Sequence, residues 1–163
     1  MSERLATAEA TVAFGARLAA TAPWRRDPPG LRLYLQGELG SGKTSLAQGL
    51  LRALGVAGAI PSPSYTLVEP YDTARGRVLH VDLYRLQSPR DLDPLGVRDE
   101  WQECALLLVE WPEKGGVGLP ACDLRVELTL DGGGRSARLR PGSPAGEAWR
   151  RAACSDLAEV TPR

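Results

Sequence analysis

Apolar and polar positions repeat along this chain with two periods, and the places where the period changes mark its elements. Val12, Ala16, Ala19 and Ala20 recur at helical spacing up to about Ala22. Thr7 precedes them as a cap that can accept a backbone N–H, and Glu9 falls in the first turn, where the helix dipole favours an anion. Pro23 and the stretch 25–30 then break the chain into a loop. Leu31 to Gln36 reads as a strand, a glycine-rich turn follows, and a helix runs from about Lys43 to Leu54 with Gly55 as its stop. Tyr65–Tyr71 and Arg77–Tyr84 read as strands around a turn at Asp72–Gly76. Ser88-Pro89 opens a segment of two short helices broken near residues 94–96. Ala105–Glu110 is a continuous apolar run, the signature of a strand buried on both faces. Residues 112–120 read as loop. Leu124–Leu130 and Arg135–Arg140 form a hairpin around Gly132–Gly134, and a closing helix spans Ser143–Ala158. Helices alternating with strands, then a late hairpin, predict an α/β fold: a mostly parallel central sheet with antiparallel edge strands, flanked by helices.

Composition narrows the function classes. The 163 residues are 43% hydrophobic and 25% charged, as expected of one folded domain spanning 1–163. Lys+Arg and Asp+Glu are both 20, so the net charge is zero. A protein that binds RNA or DNA unaided usually carries a basic excess, which argues against nucleic acid as the main direct ligand. Only Lys43 and Lys114 are lysine; every other cation is arginine, a skew attributed to genomic composition. No run approaches the about 20 apolar residues that span a bilayer, and the first ten residues lack the layout of a secretion signal. Cys104, Cys122 and Cys154 show no CxxC pairing, so neither a disulfide framework nor a zinc site is expected. The expectation is a cytoplasmic protein without a membrane partner.

The strongest chemical signal is Gly37-Glu38-Leu39-Gly40-Ser41-Gly42-Lys43-Thr44, a complete G-x-x-x-x-G-K-[ST] motif between a strand and a helix. Glycines let backbone N–H groups converge on a phosphate, and the helix aims its positive end at the same anion. Lys43 can reach β- and γ-phosphate oxygens, and the Thr44 hydroxyl can ligate Mg²⁺. Glu38, Leu39, Gly40, Ser41, Gly42, Lys43, Thr44 and Ser45 are the candidate phosphate cradle. Such a site also needs an acid to hold the metal or its water shell and to place a nucleophile. Two apolar strands end in one, Asp82 and Glu110, and strand ends of a parallel sheet share the ligand-binding edge. The segment Pro61–Thr66, which includes Ser64 and lies between the loop helix and the Asp82 strand, suits by position and hydroxyl content either a switch that senses a terminal phosphate or a proline-stiffened turn. His80 is the sole histidine; beside Asp82 it could orient a water or a carboxylate, but it reads first as a packed or capping residue. Trp101 and Trp111 read as core or interface, and Arg25-Arg26 and Arg150-Arg151 as solvated pairs.

Together, GELGSGKTSLAQGLLRALG at 37–55, SPSYTLVEPY at 62–71, HVDLYRL at 80–86, the 95–98 turn, LLLVEWPEK at 106–114 and the Gly134-Arg135 hairpin resemble the TsaE (YjeE) family. The resemblance implies a P-loop NTPase-like three-layer sandwich. It implies an ATPase required for threonylcarbamoyladenosine formation in tRNA, with ATP and Mg²⁺ as cofactors. It also implies TsaB and TsaD as protein partners and contact with tRNA only through them. Thr44, Glu110 and Asp82 then match metal-ligand positions, with Asp82 and Glu110 as the catalytic carboxylates. Arg135 matches an arginine near the nucleotide, and Thr7–Ala8 an N-terminal contact. Where the family's switch usually reads Ser-Pro-Thr, this chain has Ser64.

Two other readings share the motif. A small-molecule kinase would use Arg85, Arg90 and Arg98 as a lid over the phosphates. A nucleotide-gated scaffold would bind ATP and hydrolyse it only when docked. A GTPase is disfavoured, because Lys114 is flanked by Glu113 and Gly115 and no Asn-Lys-x-Asp guanine motif is present.

Overall fold

The computed structural model describes residues 2–95 and 97–155. Its strands are β1 (Ser2–Leu5), β2 (Leu31–Gly37), β3 (Val68–Thr73), β4 (Gly76–Asp82), β5 (Leu106–Glu110), β6 (Leu124–Asp131) and β7 (Gly134–Pro141). Its α-helices are α1 (Ala8–Thr21), α2 (Lys43–Ala53), α3 (Val97–Glu103), α4 (Pro112–Gly115) and α5 (Pro144–Ser155), with 3-10 turns at Pro89–Leu95 and Gly116–Gly118. All seven strands join one sheet in the order β1-β7-β6-β2-β5-β4-β3. β2 pairs in parallel with β5 and β6, and β4 in parallel with β5. β3, β7 and β1 attach by antiparallel pairing, which gives the expected parallel centre and antiparallel edges.

The apolar content of the strands explains the layering. Leu31, Leu33 and Leu35 of β2 and Leu124, Val126 and Leu128 of β6 face one side, where Phe14, Leu18, Leu46, Leu50 and Trp149 of α1, α2 and α5 cover them. Leu79, Val81, Leu107 and Val109 face the other side, under Leu92 and Trp101. β5 is buried at every residue, as its unbroken apolar run requires. α1 and α2 approach closely because glycines lie at their contact: a Cβ on Gly49 would meet the Val12 carbonyl oxygen at 2.0 Å. The buried Asp123 ties the β6 start to its neighbours, accepting from Arg32 N (2.9 Å), Arg25 Nη2 (3.0 Å) and Ser143 Oγ (2.6 Å). Arg25 is therefore an ion-pair partner, not a solvated charge; Arg150 and Arg151 both bond Glu147.

The structure corrects the sequence reading at its irregular elements. β1 was not anticipated, because four residues carry too little pattern to announce a strand. β3 begins at Val68 rather than Tyr65, since Leu67 adopts φ 65° and donates its N–H to Pro63 O at 2.7 Å. Residues 112–118 are helical, not loop, although glycine and proline dominate them. Gly55 (φ 91°) does close α2, donating to Arg52 O, and Ser143 does cap α5 by accepting from Gly146 N. Residues 156–158 of the expected closing helix, and Gly96 of the 95–98 turn, lie outside the described residues. Among the described residues no helix is long and apolar enough to cross a membrane.

Candidate functional site

β2 runs directly into the phosphate loop, and α2 starts at Lys43. Gly42 caps that helix in a left-handed conformation (φ 99°) and lies so close to Arg135 that a Cβ would come within 2.6 Å of its Nε. Only glycine combines this backbone angle with that approach. Because β4 and β5 lie parallel in register, Asp82 is the direct neighbour of Glu110, and both strands end beside the loop.

A cavity of about 240 Å³ opens here, lined by the loop residues Gly42, Lys43 and Thr44, by Ser62 and Ser64, and by Asp82, Glu110 and Arg135. Leu39, Gly40, Ser45, Tyr84 and Trp111 complete the wall. Of the sequence-assigned cradle, Glu38 and Ser41 do not line it. Ser41 is fully buried beneath the loop, and Glu38 borders a separate hollow with Gln36, Gly37 and Thr129. Thr7 and Ala8 also stand back from the cavity: the Thr7 hydroxyl accepts from Ala10 N at 3.1 Å, capping α1. That helix nonetheless brings Thr11 against Gly42. Arg85, Arg90 and Arg98 do not line the cavity, and Arg98 pairs with Asp93 at 2.7 Å.

Lys43 is buried and folds back on the loop. Its Nζ donates to Gly37 O (2.7 Å) and Glu38 O (2.8 Å) and sits 4.0 Å from the centre of the Trp111 ring. Burial holds the ammonium below its ordinary pKa, opposed by the carboxylates of Glu110, Glu113 and Asp82. The Trp111 backbone is left-handed (φ 57°), an uncommon state for a bulky residue and one that brings the indole against Lys43. Trp101 does belong to the core; Trp111 belongs to the site.

The two carboxylates are held differently. Glu110 Oε2 accepts from the Thr44 hydroxyl at 3.0 Å, and Oε1 lies 2.8 Å from His80 Nε2. His80 is fully buried, as expected of a packed histidine, and it also bonds a carboxylate, that of Glu110 rather than of the nearby Asp82. An i, i+2 relation to Asp82 on a buried strand was the available signal; the register that sets His80 opposite Leu108, two residues before Glu110, was not. Asp82 Oδ2 accepts from Ser62 Oγ (3.0 Å) and Ser64 Oγ (2.9 Å), and Oδ1 from Tyr84 N (2.9 Å). Ser64, in the family's threonine place, thus keeps the hydroxyl contact.

The described residues contain no cluster of three His, Cys, Asp or Glu side chains fit to hold a metal alone. A hydroxyl beside one carboxylate, with a second carboxylate next to it on the neighbouring strand, fits a cation such as Mg²⁺ that keeps water ligands.

A glycine-rich loop between a central parallel strand and a helix, with a lysine, a hydroxyl and two strand-end acids around one cavity, defines a P-loop α/β protein. The family model described as "Threonylcarbamoyl adenosine biosynthesis protein TsaE" matches residues 5–138. The chain belongs to the TsaE family. It is 41% identical over 109 residues to the tRNA threonylcarbamoyladenosine biosynthesis protein TsaE of Haemophilus influenzae, covering 67% of this chain and 69% of that protein. It is 34% identical over 142 residues to the protein of the same name from Nostoc sp., covering 84% and 83%. The crystal structure of Bacillus subtilis YdiB shares the fold, with a TM-score of 0.77 over 96% of this chain and 95% of that one at 23% identity.

Proposed function

We propose that this chain binds and hydrolyses ATP with Mg²⁺ and that the hydrolysis serves threonylcarbamoyladenosine formation in tRNA, in concert with TsaB and TsaD in the cytoplasm. The observation that carries the reading is the bond between Thr44 of the loop and Glu110 of the neighbouring strand, with Lys43 and Asp82 on the same cavity. Family membership and relatives named for this tRNA modification support the pathway.

In this reading the β- and γ-phosphates replace the Gly37 and Glu38 carbonyls as partners of Lys43. A phosphate anion there would oppose the burial that holds the ammonium below its ordinary pKa. Thr44 and Glu110 would hold Mg²⁺, which would supply positive charge against the charge that develops on the phosphates. Asp82 faces the attacking water, and Ser62 and Ser64 report on the terminal phosphate, because all three hydrogen-bond one another at the cavity wall. Arg135 lies against Gly42 with its Nε buried and unpartnered among the described residues, a cation free to meet a phosphate oxygen. Arg85, Arg90 and Arg98 stand outside the cavity lining, which weighs against the small-molecule kinase.

Two measurements test this. Lys43→Ala abolishes ATP binding by calorimetry; unchanged affinity would remove the loop from the site. Depleting the protein lowers threonylcarbamoyladenosine in tRNA by mass spectrometry; intact levels would reject the pathway.

A further inference from the structure

The half of the sheet made by β6, β7 and β1 is covered on one face only. Its apolar residues Val126, Leu128, Ala137 and Leu139 pack under α1 and α5. The residues between them point to the opposite face, where no helix lies over these strands among the described residues. Register places them in three rungs. The first is Tyr34, Arg125 and Arg140; the second is Gln36, Glu127, Arg138 and Ser2; the third is Thr129, Ser136 and Arg4. Arg32 precedes Tyr34 on the same side of β2.

This face is basic in a chain whose net charge is zero. It carries five arginines, and its internal acid, Glu127, bonds only Arg140 (3.2 Å). Arg4 lies 3.8 Å from Asp131 at the hairpin tip. Arg32, Arg125 and Arg138 have no carboxylate partner among the described residues: Arg32 Nη1 donates to Ala121 O (3.4 Å), Arg125 Nη1 to the neutral Gln36 Oε1 (3.4 Å), and Arg138 is exposed. Arg125 stands directly opposite Arg140, and like charges in that position destabilise a sheet. Glu127 offsets Arg140, and the charges of Arg32, Arg125 and Arg138 are left for an anion from outside the chain.

We propose that this open face binds the phosphate backbone of RNA, which within the function proposed above is tRNA. Arginine forks match phosphate oxygens, and Ser2, Gln36, Thr129 and Ser136 add the hydroxyl and amide donors that phosphate contacts use. The face has no exposed aromatic or aliphatic anchor, since Tyr34 is buried, and such anchors dominate protein–protein contacts. β2 leads from this face into the phosphate loop, past a hollow whose charged lining, Glu38 and Glu127, is acidic and would turn phosphates toward the arginines. Bound RNA would therefore rest on the strand that carries the loop. Zero net charge excluded a basic protein, not a basic face.

The probe is an unmodified tRNA transcript, titrated with the full chain by fluorescence anisotropy from about 50 to 200 mM salt. Binding is expected to fall steeply with salt. The triple variant Arg125→Gln/Arg138→Gln/Arg140→Gln should weaken it about tenfold or more and lower the log–log salt slope by about 2–3. The matching triple lysine variant should recover part of the affinity. ATP affinity should be unchanged in both, and Lys43→Ala should bind RNA normally, so the two readings fail separately. No binding at 50 mM salt, or wild-type affinity in the glutamine variant, would overturn the proposal. So would a variant that keeps RNA but loses the TsaB–TsaD pair, which would give the face to an acidic protein surface.

Discussion

His80 Nε2 lies 2.8 Å from Glu110 Oε1, in a site where both side chains are buried. With the carboxylate oxygen accepting, Nε2 is the donor of this bond. His80 Nδ1 is buried with no partner among the described residues, where an unbonded proton would be costly, and this favours the same tautomer. The histidine thus occupies one oxygen of Glu110 and leaves the other to Thr44. His80→Ala is expected to lower Mg²⁺-dependent ATP hydrolysis about 10–100-fold and raise the Mg²⁺ half-saturation, with metal-free nucleotide affinity kept. His80→Gln, which retains a donor, should restore part of the loss. A Mg²⁺ response identical to the native protein would show that His80 only packs.

Glu110→Gln keeps the size of the side chain but removes the charge between Thr44 and His80. ATP binding measured by calorimetry should persist, while hydrolysis falls about 100-fold or more. Native turnover would take Glu110 out of the reaction.

Gly49 faces the Val12 carbonyl across the α1–α2 contact. Helix propensity alone makes Gly49→Ala stabilising by about 1 kcal/mol. The 2.0 Å clash of its Cβ with backbone reverses the sign, and urea unfolding should show a loss of about 1–3 kcal/mol. Gly55→Ala at the α2 stop meets no atom within 4 Å but strains a φ of 91°, so its cost is conformational alone.

Burial pushes the Cys104 thiol up to about 11. In the unfolded chain the thiol ionises near its ordinary value, so its ionisation favours unfolding. The group costs no stability below about pH 8 and draws stability away as pH rises toward 11. At pH 8 iodoacetamide should modify the half-buried Cys122 and Cys154 well before Cys104, and urea should abolish the difference, read by peptide mass spectrometry. Equal rates in the folded protein would contradict the burial.

The local sequence determined what local physics controls. The glycine-rich motif can form only a turn of this kind, the unbroken apolar run 106–110 needs cover on both faces, and Gly55 and Ser143 mark helix ends through their own backbone and hydroxyl chemistry. The two strand-end acids were visible because β-strands in a parallel sheet end at one edge. Tertiary structure decided the pairings. Only the in-phase register of β4 and β5 joins His80 to Glu110 and sets Glu110 beside Asp82. Only the left-handed turn at Trp111 brings its ring to Lys43. Arginines scattered from residue 4 to residue 140 looked like a compositional habit; strand register gathers five of them on one open face. A one-residue shift would have sent them into the apolar layer, and no single segment contains the information that sets register between strands far apart in the chain.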